Sequence, residues 1–500
     1  MSICIYEVPF TEHKKAKMLY FTFTNAVCYD ILMIMLLCGG KTKWVYPLKG
    51  NCMSKKSGSF SSKLGFVLAT AGSAVGLGNI WRFPYLAAKY GGGMFLLVYI
   101  ILAVTFGFAL MITEIAIGRK TGKSVIGAYT AINKKFSCLG ILAAVVPAII
   151  FPYYCVIGGW VIKYFTVFIT GQATISADGG EYFGGFIGSF GEPAFFLAIF
   201  MGLTAIVVML GVEKGIEKVS KFMMPALVLM TIVISIYSLT LPGAIDGLLY
   251  YVLPDFGRFS FEAVVAAMGQ LFYSMSIAMG ILVTYGSYMR KDDNLESSAG
   301  QVEIFDTGVA FLSGMMIIPA VFAFSDGNPD AINAGPSLMF ITLPNVFTSM
   351  AGGEIVGAIF FILVLLAALT SAISLMETIV SVIMEKFKLK RMTACVAVLI
   401  FSFALGLVSV LGYSDWSEFT ILGKQMLDFF DFISNNVMMP IVSLLTCILI
   451  GYVAKTSYVE GEVELNGKFR RKAMYRVMIK YIAPLFMIMI FLSSFLGIGS

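Results

Sequence analysis

The sequence predicts an all-α polytopic membrane protein built from two five-helix halves and an eleventh helix. Three observations carry this reading. Hydrophobic residues make up 59% of the 500 and charged residues only 13%, where soluble domains average roughly 45–50% and about 25%. From Leu64 onward, long apolar segments alternate with short polar loops. The first and sixth of these segments are interrupted by small and polar residues at matched places in the two halves.

The apolar segments fall at approximately 64–88, 94–117, 138–170, 193–211, 219–241, 262–288, 302–324, 353–385, 392–412, 425–453 and 474–498. Each is long enough to cross a hydrocarbon core of about 30 Å as a helix. The intervening loops set an orientation. Segment 118–137 carries Arg119, Lys120, Lys123, Lys134 and Lys135 with no acid, and 386–391 and 454–473 are also rich in Lys and Arg. Segments 171–192 and 325–352 carry acids and no base. Basic loops stay on the cytoplasmic side, so Met53 is expected inside and Ser500 outside.

Other classes are excluded by what is scarce. His13 is the single histidine, which removes most metal and general-base schemes. Cys138, Cys155, Cys395 and Cys447 stand singly in apolar surroundings and read as small hydrophobes. A net charge of +6 from 35 basic and 29 acidic residues does not call for a nucleic-acid partner. Glu114, Glu377 and Asp306 are scattered, so no acid–base or nucleophile cluster marks an enzyme.

Residues 1–52 differ from the rest. They hold Cys4, Cys28, Cys38 and Cys52, the only His, and an apolar run from Met18 to Cys38. That run is too long for a signal peptide and lacks a small-residue cleavage site. Met53-Ser-Lys-Lys-Ser reads as a natural start, leaving 1–52 as an extension outside the functional fold. The alternative is an extra helix. The remainder divides into 53–288, with spans 1–5 and a broken span 6, and 289–500, with spans 7–11.

The two interruptions point to function. Span 1 contains Gly72-Ser-Ala-Val-Gly76-Leu-Gly78-Asn79 and then Pro84; span 6 contains Ser274-Met-Ser276-Ile-Ala-Met-Gly280. Backbone freed at mid-membrane is tolerated only where it lines protein or a water-filled cavity. Paired breaks in corresponding spans mark a transporter's binding site between two inverted repeats. The repeats would run over approximately 60–241 and 262–453, a 5+5 inverted-repeat, broken-helix transporter fold. The plainer reading is that the glycines only permit close helix packing.

Ala71-Gly-Ser-Ala-Val-Gly-Leu-Gly-Asn-Ile-Trp-Arg-Phe-Pro84, followed by Gly91-Gly-Gly93, resembles the first helix of neurotransmitter:sodium symporters. Gly269-Gln-Leu-Phe-Tyr-Ser-Met-Ser276 and Tyr285-Gly-Ser-Tyr-Met-Arg-Lys291 resemble the sixth, and Leu369-Thr-Ser371 the eighth. The likeness runs from about Phe60 to the end and is to the bacterial amino-acid transporter branch. It implies a sodium-coupled symporter, in the bacterial inner (cell) membrane, importing a neutral, hydrophobic or aromatic amino acid by alternating access. Lipid and substrate are the implied partners; no obligatory protein partner is evident. Two other readings stay open: a broken-helix transporter with another coupling ion, or an amino-acid sensor that does not transport.

The resemblance also implies sites. A first sodium would take the Ala74 carbonyl with Asn79, Ser274 and Asp306. A second would take the carbonyls of Gly72, Val75 and Ala367 with the hydroxyls of Thr370 and Ser371. A hard cation wants several oxygen ligands, and unwound carbonyls supply them. The substrate carboxylate would meet the amides of Leu77 and Gly78, the Tyr154 hydroxyl and the first sodium. Its ammonium would meet the carbonyls of Ala74, Tyr273 and Ser274 and the Ser276 hydroxyl. Ile150, Tyr154, Tyr273, Met279, Ser371 and Leu375 would surround the side chain, with no acid among them.

Arg82, Gln270, Tyr273 and Asp431 resemble an outer gate, with Arg82 and Asp431 as a pair. The inner gate would use Lys56, Tyr288 and Glu385, with Lys55 or Lys56 pairing Glu385, because Ser57 and Phe60 replace the usual Arg and Trp. Glu114 matches a residue that braces the broken sixth helix. Ala278 stands where Gly is common, and Ser73 where a bacterial member has Asn. Gly215 and Pro225 resemble a Gly-x9-Pro pattern in span 5. Chloride is not expected, since Asp306 would put a fixed negative charge beside Tyr99, Gln270 and Ser274, one turn from Ala310.

Overall fold

The computed structural model describes residues 58–176, 178, 180–325, 328 and 335–496. The expectations for residues 1–52 and for Lys55 and Lys56 lie outside these. Among the described residues nine helices are long and apolar enough to cross a membrane: Gly93–Thr121, Lys134–Ile169, Gly191–Met209, Val212–Leu239, Leu295–Phe324, Gly353–Phe387, Arg391–Leu411, Met426–Val453 and Lys472–Ser494. They coincide with the expected spans 2–5 and 7–11. Span 1 is a bent pair, Lys63–Ala74 and Gly78–Lys89, with an angle of 56° between its parts. Span 6 is two shorter helices, Phe261–Ser274 and Ile281–Tyr288.

Local chemistry sets where the helices of interest begin. Ser62, Ser260 and Asn294 are N-caps whose side-chain oxygens accept the N–H groups of Gly65, Ala263 and Ser297. Each satisfies one of the orphan donors of a first helical turn. The breaks are equally local, lying where glycine, serine and alanine replace the large aliphatics that fill the other spans.

Spans 1 and 6 occupy the centre. Nearly every residue from Gly65 to Pro84 and from Ala263 to Gly286 is buried. Span 8 packs along span 3, and the second helix of span 6 packs on span 2. The outer helices turn Leu229, Ile236, Ile400 and Leu485 outward, as a bilayer solvent allows.

Several short helices were not foreseen, among them Val125–Ile132, Ala244–Val252 and Leu338–Thr348. The last seats Phe340 among the rings of Trp81, Trp160, Tyr164, Phe183 and Phe361, with centroids 5.0–6.5 Å away. Trp81 of this aromatic box is the chain neighbour of Arg82.

Candidate functional site: an ion and zwitterion cavity between two broken helices

Span 1 stops being helical at Val75, whose N–H still reaches Ala71 O at 2.7 Å, and resumes at Gly78. Span 6 stops at Ser274 and resumes at Ile281. Between them Ser276, Ala278 and Gly280 have φ of +53°, +66° and +70°. For the two non-glycine residues this left-handed region costs on the order of 1 kcal/mol or more each. Hydrogen bonds hold the conformation. Ala278 N–H donates to Glu114 Oε1 at 2.8 Å. The Ser276 hydroxyl donates to Ser73 O at 2.9 Å, and its oxygen lies 3.1 Å from Ser73 Oγ. The bracing expected of Glu114 is therefore a backbone hydrogen bond, and Ala278 occupies a conformation that favours glycine.

Two oxygen clusters flank the breaks. In the first, Asp306 Oδ1 accepts from Asn79 Nδ2 at 2.8 Å and from the Ser274 hydroxyl at 2.7 Å. Tyr99 OH points at the same group, 3.4 Å from Asp306 Oδ2 and 3.3 Å from Ser274 Oγ. All four residues are buried. The structure thus brings Asn79, Ser274 and Asp306 together from three spans 227 residues apart at the extremes. In the second cluster, Ser371 Oγ lies 3.1 Å from Ser73 O and 3.5 Å from both Gly72 O and Val75 O. Thr370 Oγ1 donates to Ala367 O at 3.0 Å and Leu366 O at 3.1 Å. These oxygens are neutral and hard, a donor set that fits an alkali cation better than a transition metal.

Between the clusters lies a small cavity of about 30 Å³, with room for little more than a water molecule as the side chains stand. Every residue expected to touch substrate lines it: Ala74, Leu77, Gly78, Ile150, Tyr154, Tyr273, Ser274, Ser276, Met279, Ser371 and Leu375. Ser73, Gly76, Asn79 and Ile281 also line it. Within this lining Leu77 N–H donates to Tyr154 OH at 3.4 Å. The apolar side chains of its lining include Ile150, Met279, Ile281 and Leu375. No Asp, Glu, Lys or Arg lines the cavity. Gly78 is required by close approach: a Cβ there would fall 2.5 Å from the Tyr273 ring.

The expected gates are arranged differently. Arg82 and Asp431 are not in ion-pair contact. Asp431 Oδ1 accepts from Asn435 Nδ2 at 2.7 Å and Tyr153 OH at 3.1 Å, so its charge is already solvated by protein. The Arg82 guanidinium instead lies over the Tyr273 ring, 5.8 Å from its centroid, and Gln270 Nε2 donates to Gly78 O at 2.9 Å. At the other end Tyr288 and Glu385 do not meet. Tyr288 OH donates to Glu377 Oε1 at 2.8 Å, and Glu377 is ion-paired with Arg391. Glu385 accepts the N–H of Ser124 at 2.5 Å, drawn to the unpaired amide that opens the short helix Val125–Ile132. Asn435 was legible in principle, four residues after Asp431 on one helix face. Tyr153, far away in sequence, carried no such signal.

Comparison with known proteins identifies the family and the fold. Residues 57–177 and 183–499 match the sodium:neurotransmitter symporter family. An uncharacterized sodium-dependent transporter, YhdH of Bacillus subtilis (strain 168), is 35% identical over 446 residues, covering 88% of this chain and 98% of that protein. One from Haemophilus influenzae is 33% identical over 459 residues, covering 88% and 99%. The crystal structure of MhsT in complex with L-phenylalanine superposes with a TM-score of 0.79 at 38% identity, covering 87% of this chain and 99% of that one. The chain belongs to the sodium:neurotransmitter symporter family: it is a multi-span membrane transporter with a broken-helix fold, not an enzyme.

Proposed function

We propose that this transporter imports a neutral, hydrophobic or aromatic amino acid by sodium-coupled alternating access, with two sodium ions and without chloride. The observation that carries the reading is the cavity itself. The broken helices present backbone amides at the start of the second half of span 1 and backbone carbonyls at the ends of the first halves, outside regular helix. A carboxylate is drawn to the former and an ammonium to the latter. Ile150, Met279, Ile281 and Leu375 offer apolar surface to a side chain and nothing to neutralise a charged one. The similar MhsT structure holds L-phenylalanine, and the similar curated proteins are named sodium-dependent.

In this reading the cations are co-transported cargo. The first sits with Ala74, Asn79, Ser274 and Asp306 and the second with Gly72, Val75, Ala367, Thr370 and Ser371. The basic loops face the cytoplasm. Arg82, Gln270, Tyr273 and Asp431 lie on the outer route, and Arg82 and Asp431 come together only when that route closes. The test is uptake into proteoliposomes with a panel of labelled amino acids, with and without an inward sodium gradient. Gradient-dependent uptake of leucine, phenylalanine, tyrosine or tryptophan is expected. Uptake indifferent to sodium, or preferring lysine or glutamate, would overturn the reading.

A further inference from the structure

One buried acid has no part in either oxygen cluster. Glu217 is 1% exposed, and its carboxylate grips the start of span 1. Oε2 accepts the N–H of Ser61 at 2.7 Å. Oε1 accepts from the Ser61 hydroxyl at 2.6 Å, the Ser62 hydroxyl at 3.1 Å and Lys221 Nζ at 2.7 Å. Ser62 is in turn the N-cap of Lys63–Ala74. A negative charge is therefore held against the positive end of that helix, where it is favoured. The sequence has made room for it: a Cβ on Gly65 would lie 2.1 Å from Glu217 Oε1.

The support for Glu217 is itself weak. It ends the π-helical turn Val212–Glu217 that opens span 5, and π turns are wide and uncommon, recurring at functional sites. Pro225, inside the following helix, has no N–H to give the Lys221 carbonyl. On its other side the start of span 1 is held by span 6. Phe60 N–H donates to Tyr288 O at 3.1 Å, the Phe60 ring lies 5.6 Å from Tyr285, and Arg290 Nη1 reaches Ser61 O at 3.1 Å. The helix so anchored runs directly into the Gly72 and Val75 carbonyls beside Ser371. Releasing its start would displace two oxygens of the second cluster.

We propose that Glu217 is a positioning residue that latches the start of span 1, and that losing this latch both opens this end of the transporter and weakens sodium retention. The proposal rests on the alternating-access reading above. Glu217→Gln keeps one acceptor oxygen, sets an NH2 against either Ser61 N–H or Lys221 Nζ, and removes the charge from the helix start.

The experiment uses full-length protein purified in detergent. Thr70→Cys, in the buried part of Lys63–Ala74, reports access to the helix by its rate of thiol labelling, with the same protein lacking that cysteine as background. In saturating sodium without substrate, adding Glu217→Gln should speed labelling of Cys at this position by about tenfold, as loss of charge-assisted hydrogen bonds implies. It should raise the half-saturating sodium for labelling protection by a similar factor. Gly65→Ala, which pushes the carboxylate aside without removing its charge, should reproduce both effects and carries the test if Glu217→Gln does not fold. Labelling equal to the parent in both variants overturns the latch. A parent whose labelling ignores sodium counts against the sodium-coupled reading, while faster labelling in the variants would still support the latch.

Discussion

The peptide N–H of Ala278 donates to a carboxylate oxygen of Glu114 at 2.8 Å, so an acid buried on span 2 holds the unwound turn of span 6. The arrangement balances two costs. Ala278 sits at φ +66°, where its Cβ is strained, and its amide has lost any helical partner. Glu114 supplies that partner in a place water does not reach.

Removing the acid should expose the balance. In Glu114→Ala the Ala278 amide is left buried and unsatisfied, which costs about 1–3 kcal/mol. A fall of several degrees in the melting temperature is expected, with weaker substrate binding. Ala278→Gly should do the reverse for stability, because glycine accepts the left-handed region at little cost. Thermal melts of both variants, with and without substrate, check this; a neutral Glu114→Ala would contradict it.

The two oxygen clusters should titrate separately. Asn79→Ala removes a group from the Asp306 cluster, and Thr370→Ala removes one from the Ser371 cluster. Each should raise the sodium concentration for half-maximal uptake about tenfold or more, the scale of one lost polar partner in a buried site. Sodium titration of uptake at saturating amino acid is the measurement, and unchanged curves in both variants would exclude these residues as ligands.

Gly78→Ala places a methyl 2.5 Å from the Tyr273 ring. The ring must swing away from the cavity mouth, so the KM for substrate should rise by about tenfold. Sodium binding measured without substrate should change much less, since Gly78 contributes no side chain to either cluster.

Transport should persist when chloride is replaced by gluconate. Tyr99 and Ser274 both lie within 3.4 Å of Asp306, so an anion there would meet a carboxylate in a low-dielectric site. Asp306→Asn removes that repulsion and should make residual uptake chloride-stimulated. Collapse of wild-type uptake without chloride would refute the argument.

Outside the spans, Glu460 offers a pH test. Paired hydrogen bonds from Arg476 at 2.7 Å hold its carboxyl at about 2, below the ordinary 4.5. A depressed folded pKa contributes stability that is fully present above about 4.5 and is lost as pH falls toward 2. The melting temperature should therefore decline between pH 6 and pH 3.5, and decline less steeply in Arg476→Gln. Parallel curves for the two proteins would show that this pair does not contribute.

The breaks in spans 1 and 6 were legible because Gly72, Gly76, Gly78, Ser274 and Ser276 depart from a strong apolar background. The residues around them converge because a repeated fold leaves little choice of what faces the gap. The gates were not legible in the same way. Glu385 has the residue type expected of an inner gate, yet the free amide of Ser124 claims it, while Glu377 takes Tyr288 and Arg391. Such choices are settled by which donor lies nearest in space. The box around Phe340 is similar: its rings come from residues 81 to 361, and no local pattern announces them.

The cluster at Thr370 and Ser371 contains carbonyls and hydroxyls but no acid, whereas the cluster at Asn79 contains Asp306. A cation seated at the first of these keeps its full charge, with no counter-ion travelling beside it. A zwitterionic amino acid adds none. Moving one elementary charge across the bilayer is worth about 2.3 kcal/mol per 100 mV. Uptake would then be electrogenic: an interior-negative membrane would drive accumulation even with sodium equal on both sides, and each turnover would register as inward current.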